Sequence, residues 1–337
     1  MYFETVPNLS RFTKQPKEGY HFIIYNTLKF TCNKVLNKNI LQERAKRKAV
    51  AVGRPFLDNG AFNDLIKKQI QTNKPLFVSR YGNSELVACF YAKIRHEGII
   101  DQISDSLLYK AKSGPGVFPQ NEEVYLLFAE EYTKALTNAD LNAYWGNVLM
   151  EEYMIDCYEP KSCQQYAMRA LEPFQYADPW TLALKGKKLL IVHPFADLIE
   201  SQYKRMNEIF PNRCILPLCD LRVVKAVQSN GDAIPDGLNS WKDALDFLYD
   251  ECMKEDFDIA LLSCGSYAVP LGSRLKMAGK QAIVMGGMLQ LLFGIKGKRW
   301  EASRPDIVAM YNEAWVRPGE EYQIKGSEKM ADGKAYW

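Results

Sequence analysis

Four short apolar runs constrain this chain more than any other feature. They are Leu76-Phe77-Val78, Leu189-Leu190-Ile191-Val192, Ile259-Ala260-Leu261-Leu262 and Ala282-Ile283-Val284-Met285. Each is too short for a helix and does not alternate with polar residues. That is how a strand buried on both faces of a parallel sheet reads. Cys214-Ile215-Leu216-Pro217 reads as a further strand, and Asn142 to Met150 as a strand and turn around Trp145-Gly146-Asn147.

Helical patterns separate these runs. Asp58-Asn59-Gly60 is a turn. Ala61 to Gln71 then sets Phe62, Leu65, Ile66 and Ile70 on one side, and Asn73-Lys74-Pro75 stops it. A helix follows the glycine turn at Gly82 and runs to about Arg95, with His96 at its end, where a cation meets the helix dipole. Asn121 caps a helix through Leu136, and Ile199 to Phe210 reads as another. Ser240 caps Trp241 to Glu255, with Ala244, Leu245, Leu248 and Cys252 in register. Pro270 to Ala278 is the last helix. Tyr166 to Tyr176 and Pro179 to Leu184 read as helical or irregular. The alternation predicts α/β architecture: a mostly parallel, Rossmann-like sheet with helices on both faces. The expected division is an N-terminal extension (1–55), a single α/β domain (56–310) and a C-terminal tail (311–337), poorly ordered from about Gly326.

A net charge of +3 and a pI near 8.3 are too mild for a nucleic-acid face, but leave room for a small anionic ligand. The eight cysteines (Cys32, Cys89, Cys157, Cys163, Cys214, Cys219, Cys252 and Cys264) form no CxxC pair. They read as reduced core thiols of a cytoplasmic protein. The N-terminus lacks a signal-peptide pattern, and no apolar run approaches the ~18 residues of a membrane span. Tyr20 to Tyr25 reads as a short strand or a helix start. The basic segment Asn37 to Arg54 is a solvated helix face or a peripheral contact with anionic lipid.

In an open parallel sheet, ligands bind beyond the carboxyl ends of the strands. Four such ends carry unusual residues: Arg80-Tyr81-Gly82-Asn83-Ser84-Glu85, His193-Pro194-Phe195-Ala196-Asp197, Gly265-Ser266-Tyr267, and Gly286-Gly287-Met288-Leu289-Gln290. Arg80 offers a bidentate grip on phosphate, and Glu85 a hard oxygen ligand. The plain alternative is a surface Arg–Glu pair on a βα turn. His193 is a buried histidine or a general base, and Asp197 either fixes its tautomer or starts the next helix. Gly265 and Ser266 make a tight turn or cradle a phosphate with backbone N–H groups. Gly114 to Pro119 is a rigid loop that approaches a ligand or merely connects elements. Gly294 to Trp300, with Lys298 and Arg299, closes over a phosphate or is a solvated loop. No GxGxxG or Walker loop occurs, so a standard dinucleotide or P-loop site is not supported.

The Arg80-Tyr81-Gly82-Asn83-Ser84-Glu85 stretch resembles the Arg-x-Gly-Asp-x-Glu signature of the GT-D-type glycosyltransferases, bacterial enzymes of surface glycan and glycoprotein assembly. Ile259 to Tyr267 and Gly279 to Trp300 resemble that family's closing strands, so the likeness spans roughly Ala61 to Trp300. It implies a transferase using a nucleotide-sugar donor, a UDP-sugar first, with a glycan, glycolipid or glycoprotein acceptor. It also implies a divalent cation, Mn2+ or Mg2+, at the Asp-x-Glu pair. Here that pair is Asn83 and Glu85, and an amide supplies no charge to a cation. On this reading Arg80, Gly82, Asn83, Gly265, Ser266, Tyr267, Gly286, Gly287, Lys298 and Arg299 hold the donor. Glu85 serves donor or metal, and His193 is the base. The alternative is a non-catalytic nucleotide-sugar or glycan-binding protein of a polysaccharide assembly complex. A transferase using another nucleotide would keep the fold and change the donor.

Overall fold

The computed structural model describes residues 53–145, 151–324, 326 and 336. Cys32, the Tyr20–Tyr25 run, the basic segment up to residue 52 and residues 146–150 of the expected turn lie outside the described residues.

The sheet has eight strands: β1 (Phe56–Leu57), β2 (Leu76–Arg80), β3 (Leu141–Tyr144), β4 (Gln164–Ala167), β5 (Lys188–His193), β6 (Asp220–Lys225), β7 (Ile259–Leu262) and β8 (Gln281–Val284). Their order is β1-β4-β3-β2-β8-β7-β5-β6, and every neighbouring pair is parallel. The apolar runs occupy the centre, where β2, β7 and β8 are buried along nearly their whole length.

Among the described residues the helices are α1 (Asn59–Gln71), α2 (Asn83–His96), α3 (Asp105–Ser113), α4 (Glu122–Leu136), α5 (Glu151–Tyr158), α6 (Ala196–Tyr203), α7 (Met206–Ile209), α8 (Trp241–Lys254), α9 (Ala268–Met277), α10 (Lys298–Ser303) and α11 (Pro305–Val308). Three begin on a side-chain cap. Asp58 accepts from Ala61 N, Asn121 from Val124 N and Ser240 from Asp243 N, each satisfying an orphan N–H of a first turn. The expected Asp58-Asn59-Gly60 turn is thus the helix start itself.

Two cores sandwich the sheet. On one face α2, α4, α8 and α9 bury Leu86, Phe128, Trp241 and Leu271. On the other, α1, α6 and the 3-10 segments Trp180–Leu184 and Gly286–Phe293 bury Phe62, Ile199, Trp180 and Phe293. Among the described residues, no helix is long and apolar enough to cross a membrane.

Several expectations change. Cys214 to Pro217 is not a strand; the strand is Asp220–Lys225 just after it. As an edge strand it is partly exposed, so it carries charges instead of an apolar run. Gln164–Ala167 is a strand that overlaps the start of the Tyr166 to Tyr176 region read as helical or irregular. Its polar Gln165 is satisfied in the core by the Asn142 amide and the Glu159 carboxylate. The helix read over Ile199 to Phe210 breaks into α6 and α7. Arg54, expected on a solvated face, is buried and donates to the carbonyls of Ile155 and Glu159. Cys89, Cys163, Cys252 and Cys264 are buried thiols, but Cys214 is exposed. Beyond residue 310, Ala314 and Trp315 pack with Trp300 and Ile307 in a third cluster, and Val316 bridges to Ile295.

Candidate anion-binding cleft

Adjacent strands send the chain to opposite faces at the middle of the sheet. After β2 the chain enters α2 on the first face; after β8 it enters the Gly286–Phe293 segment on the second. β7 and β5 part in the same way. Diverging connections open a crevice above the carboxyl ends of these strands. A cleft of about 420 Å³ lies there, within the range of small-ligand sites.

The four strand ends read from the sequence converge on it. Arg80, Gly82, Asn83, Glu85, His193, Gly265, Ser266, Tyr267, Gly286, Gly287 and Arg299 all line it. Lys298 does not: it is exposed at the start of α10, in a segment that is helical and not the expected flexible loop.

Arg80 is the main charge at the centre of the cleft. Its Nε donates to Met168 Sδ at 2.7 Å, and its guanidinium lies 5.2 Å from the centroid of the Trp145 ring. Trp145 is fixed in turn by its Nε1–H on the Tyr81 carbonyl, at 2.8 Å. The guanidinium rests on Gly286, where a Cβ would stand 1.7 Å from Nη1. Burial, with the nearby Arg299 charge adding to it, pushes the Arg80 pKa down from its ordinary value. Among the described residues, no carboxylate is within ion-pair distance of it. A mostly buried charge left without an ion pair costs on the order of several kcal/mol, so stability does not explain its placement.

Glu85 is the single carboxylate lining the cleft among the described residues. Its side chain folds back over the start of α2, where a Cβ on Gly82 would stand 1.9 Å from Oε2. The Gly82 N–H donates to Tyr132 Oη at 3.2 Å. With Arg80 and Arg299 against one carboxylate, the cleft favours negative ligands.

His193 lines the cleft, but its ring is poorly suited to the base role. It is buried, and burial pushes its pKa down to about 3, so it stays neutral at physiological pH. Its Nδ1 accepts from the Phe195 N–H at 2.9 Å, so Nε2 carries the proton. A neutral imidazole with a protonated Nε2 is a hydrogen-bond donor.

Two further expectations shift. The Ser266 hydroxyl donates to the Pro115 carbonyl at 2.5 Å and accepts from Trp241 Nε1 at 2.9 Å. Tyr267 Oη shares a 2.6 Å hydrogen bond with Ser229 Oγ, and its ring stacks on Trp241, with centroids 5.3 Å apart. These side chains tie the Gly114-Pro115 loop to β7; what this turn offers a ligand is its backbone.

A divalent cation is implied by the resemblance, but the donors here do not fit a protein-held one. Asn83 is a neutral, exposed amide, and Glu85 is the sole acid. Among the described residues, no group of three or more His, Cys, Asp or Glu could hold a metal ion.

Sequence reasoning missed Tyr132, Trp145, Tyr336 and the stretch after β6, where Gln228, Ser229 and Asn230 add a neutral polar wall. Trp145 follows β3, so the strand-end rule reaches it. Tyr132 sits within α4, and nothing in its sequence context marks it.

A buried group beneath the cleft supplies a test of the local packing. Tyr81 Oη donates to Glu159, and Gln165 Nε2 donates to the same carboxylate at 2.6 Å. Burial pushes the Glu159 pKa up to about 7, from an ordinary 4.5. The folded chain therefore holds a proton that the unfolded chain releases between about pH 4.5 and 7. The stabilisation is complete below about pH 4.5 and is lost as pH rises through 7. Thermal melts of Glu159→Gln are expected to lose much of the wild-type decline between pH 5 and 8; an unchanged slope would contradict this.

No family model and no curated protein matches the chain. Two solved structures do. One is described as the highly conserved domain of unknown function 1792, with a distinct glycosyltransferase fold. It is 15% identical, covers 82% of this chain and 99% of its own, and has a TM-score of 0.43. The other, a selenomethionine-substituted structure of domain of unknown function 1792, is 16% identical, with the same coverage and a TM-score of 0.42.

Proposed function

We propose that the chain is a glycosyltransferase that moves a sugar from a nucleoside-diphosphate donor, a UDP-sugar first, to an acceptor hydroxyl. The acceptor class is a glycan, glycolipid or glycoprotein of bacterial surface polysaccharide or glycoconjugate synthesis. The observation that carries this is Arg80: a mostly buried guanidinium with no ion pair among the described residues, at the strand ends of a parallel sheet, beneath the glycine turn that opens α2. The resemblance of that turn to the glycosyltransferase signature supports the class, and the uncharged Gln228 and Asn230 amides suit sugar hydroxyls.

The chemistry needs charge stabilised on the departing diphosphate, which is electrostatic work. Arg80 does it from one side, helped by the N–H groups that open α2 and by Arg299. In a direct displacement, the acceptor oxygen bonds to the anomeric carbon as its bond to the β-phosphate oxygen breaks. The bond's electron pair leaves with the nucleoside diphosphate, and the acceptor proton goes to a base. Glu85 takes that role in place of His193, as the one carboxylate lining the cleft among the described residues. His193 donates Nε2–H to substrate. Glu85→Gln is expected to lower kcat about 10²- to 10⁴-fold, the usual range for a general base, with donor affinity nearly kept. Unchanged turnover in that variant would remove Glu85 from the mechanism.

A second reading has its own observation. With His193 held neutral and Glu85 folded over its helix start, the same cleft suits a binder that never turns its ligand over. Donor hydrolysis separates the two: a transferase releases free sugar slowly from a UDP-sugar, and a binder releases none.

A further inference from the structure

The chain after β6 forms one wall of the cleft, and its backbone is held at several points. Ser229 Oγ donates to the Gly116 carbonyl at 2.8 Å, and Lys112 Nζ donates to the Ser229 carbonyl at 2.6 Å. The Gly231 N–H donates to the Ser113 carbonyl at 3.2 Å. Gly116 meets Ser229 so closely that a Cβ there would stand 2.5 Å from Oγ. The Ala226 N–H donates to the His193 carbonyl at 3.1 Å, which sets this stretch beside the end of β5. Between these fixed points stand Gln228 and Asn230. Both line the cleft, and neither side-chain amide makes a hydrogen bond among the described residues. A stretch held this firmly, with amides that have no internal partner, is preorganised for a ligand.

The sheet sorts the chemistry along the cleft. Among the described lining residues, the charged side chains, Arg80, Glu85 and Arg299, follow β2 and β8, and those that follow β7, β5 and β6 are neutral. Trp145, after β3, lies on the other flank of Arg80, its ring centroid 5.2 Å from the guanidinium. A planar base stacks on such a ring. One extended ligand matches that order: a base beside Trp145, a diphosphate at Arg80, and an uncharged, hydroxyl-rich group at the amide wall.

We propose that Gln228 and Asn230 are specificity residues, which hydrogen-bond the hydroxyls of the donor's sugar and select neutral hexoses and N-acetylhexosamines over uronic acids. This rests on the donor reading above. An amide both donates and accepts, as a sugar hydroxyl does, so two amides read hydroxyl positions without charge. The carboxylate of a uronic acid would be desolvated at this wall with no cation among the described residues to meet it, which costs more than one lost neutral hydrogen bond.

Calorimetric titration of the full chain with UDP, UDP-glucose, UDP-N-acetylglucosamine and UDP-glucuronate tests this. The wild type is expected to bind at least one of the two neutral UDP-sugars roughly tenfold more tightly than UDP-glucuronate. Gln228→Met/Asn230→Leu keeps the side-chain volumes and removes both amides. It should weaken the preferred neutral UDP-sugar roughly tenfold to a hundredfold, and leave UDP affinity and the thermal midpoint unchanged. Equal losses for UDP and UDP-sugar would put the amides on the uridine and overturn the proposal. Wild-type UDP-sugar affinity in the double variant would overturn it too, as would UDP-glucuronate bound by the wild type as tightly as both neutral sugars. In each of those cases, UDP binding that Arg80→Met removes keeps the donor reading, and this proposal alone falls. If the wild-type chain binds none of the four, both fall.

Discussion

Replacing Arg80 with Met is expected to stabilise the chain and abolish its tight binding of nucleoside diphosphates. The opposed signs are the point. Arg80 fills a mostly buried position with no ion pair among the described residues, so the ligand-free fold bears the cost of desolvating its charge. Methionine keeps much of the volume against Met168 and Trp145 and removes that cost. Exchanging a buried ion for an apolar residue of similar size is typically neutral or stabilising by about 1–4 kcal/mol. A thermal midpoint about 2 °C higher, or more, is the expected reading. Binding moves the other way. Losing one partner of a buried, hydrogen-bonded charge pair costs about 2–5 kcal/mol, so the UDP Kd should rise on the order of a hundredfold. Differential scanning fluorimetry and calorimetry on the same samples read both effects. A destabilised variant that still binds UDP would make Arg80 a packing residue.

The second large effect comes from a residue with no side chain. Gly286 has φ +59, a left-handed conformation that glycine adopts freely. A Cβ there would also stand 1.7 Å from Arg80 Nη1. Gly286→Ala is therefore expected to push the guanidinium off its seat without touching its charge. The UDP Kd should rise about as much as in Arg80→Met, with stability lowered by roughly 1–2 kcal/mol from backbone strain. Gly279 provides the control: it has φ +86, but a Cβ there meets nothing within 4 Å. Gly279→Ala should show the strain in its thermal midpoint and keep wild-type UDP affinity. Equal affinity losses in the two variants would mean that strain, not the displacement of Arg80, governs binding.

The central strands were legible because both their faces are buried, which leaves continuous apolar runs at β2, β5, β7 and β8. Strands with polar demands were not. β6 lies at the sheet edge and carries Asp220, Arg222 and Lys225, while β4 holds Gln165 in a buried polar network that no periodicity announces. Cys214 to Pro217 misled for the opposite reason: an apolar stretch beside the true strand, closed by a proline that has no N–H to give. In the site, the strand-end rule brought ten of the candidate residues to one cleft, because topology alone decides where strands end. It could not say which side chains were already engaged. The Ser266 and Tyr267 hydroxyls are used within the fold, and the His193 Nδ1 is occupied, through contacts between residues far apart in sequence or set by local backbone geometry. Tyr336 accepts from Arg299 across 37 residues of sequence, a contact that no local pattern announces.

The most direct test of the central claim is a calorimetric titration of the wild-type chain with UDP in the presence of EDTA, repeated with Arg80→Met. A guanidinium-based diphosphate site predicts saturable one-to-one binding that chelation leaves intact and Arg80→Met removes. The claim is contradicted if folded wild-type protein does not bind UDP, or if Arg80→Met binds it as tightly as the wild type.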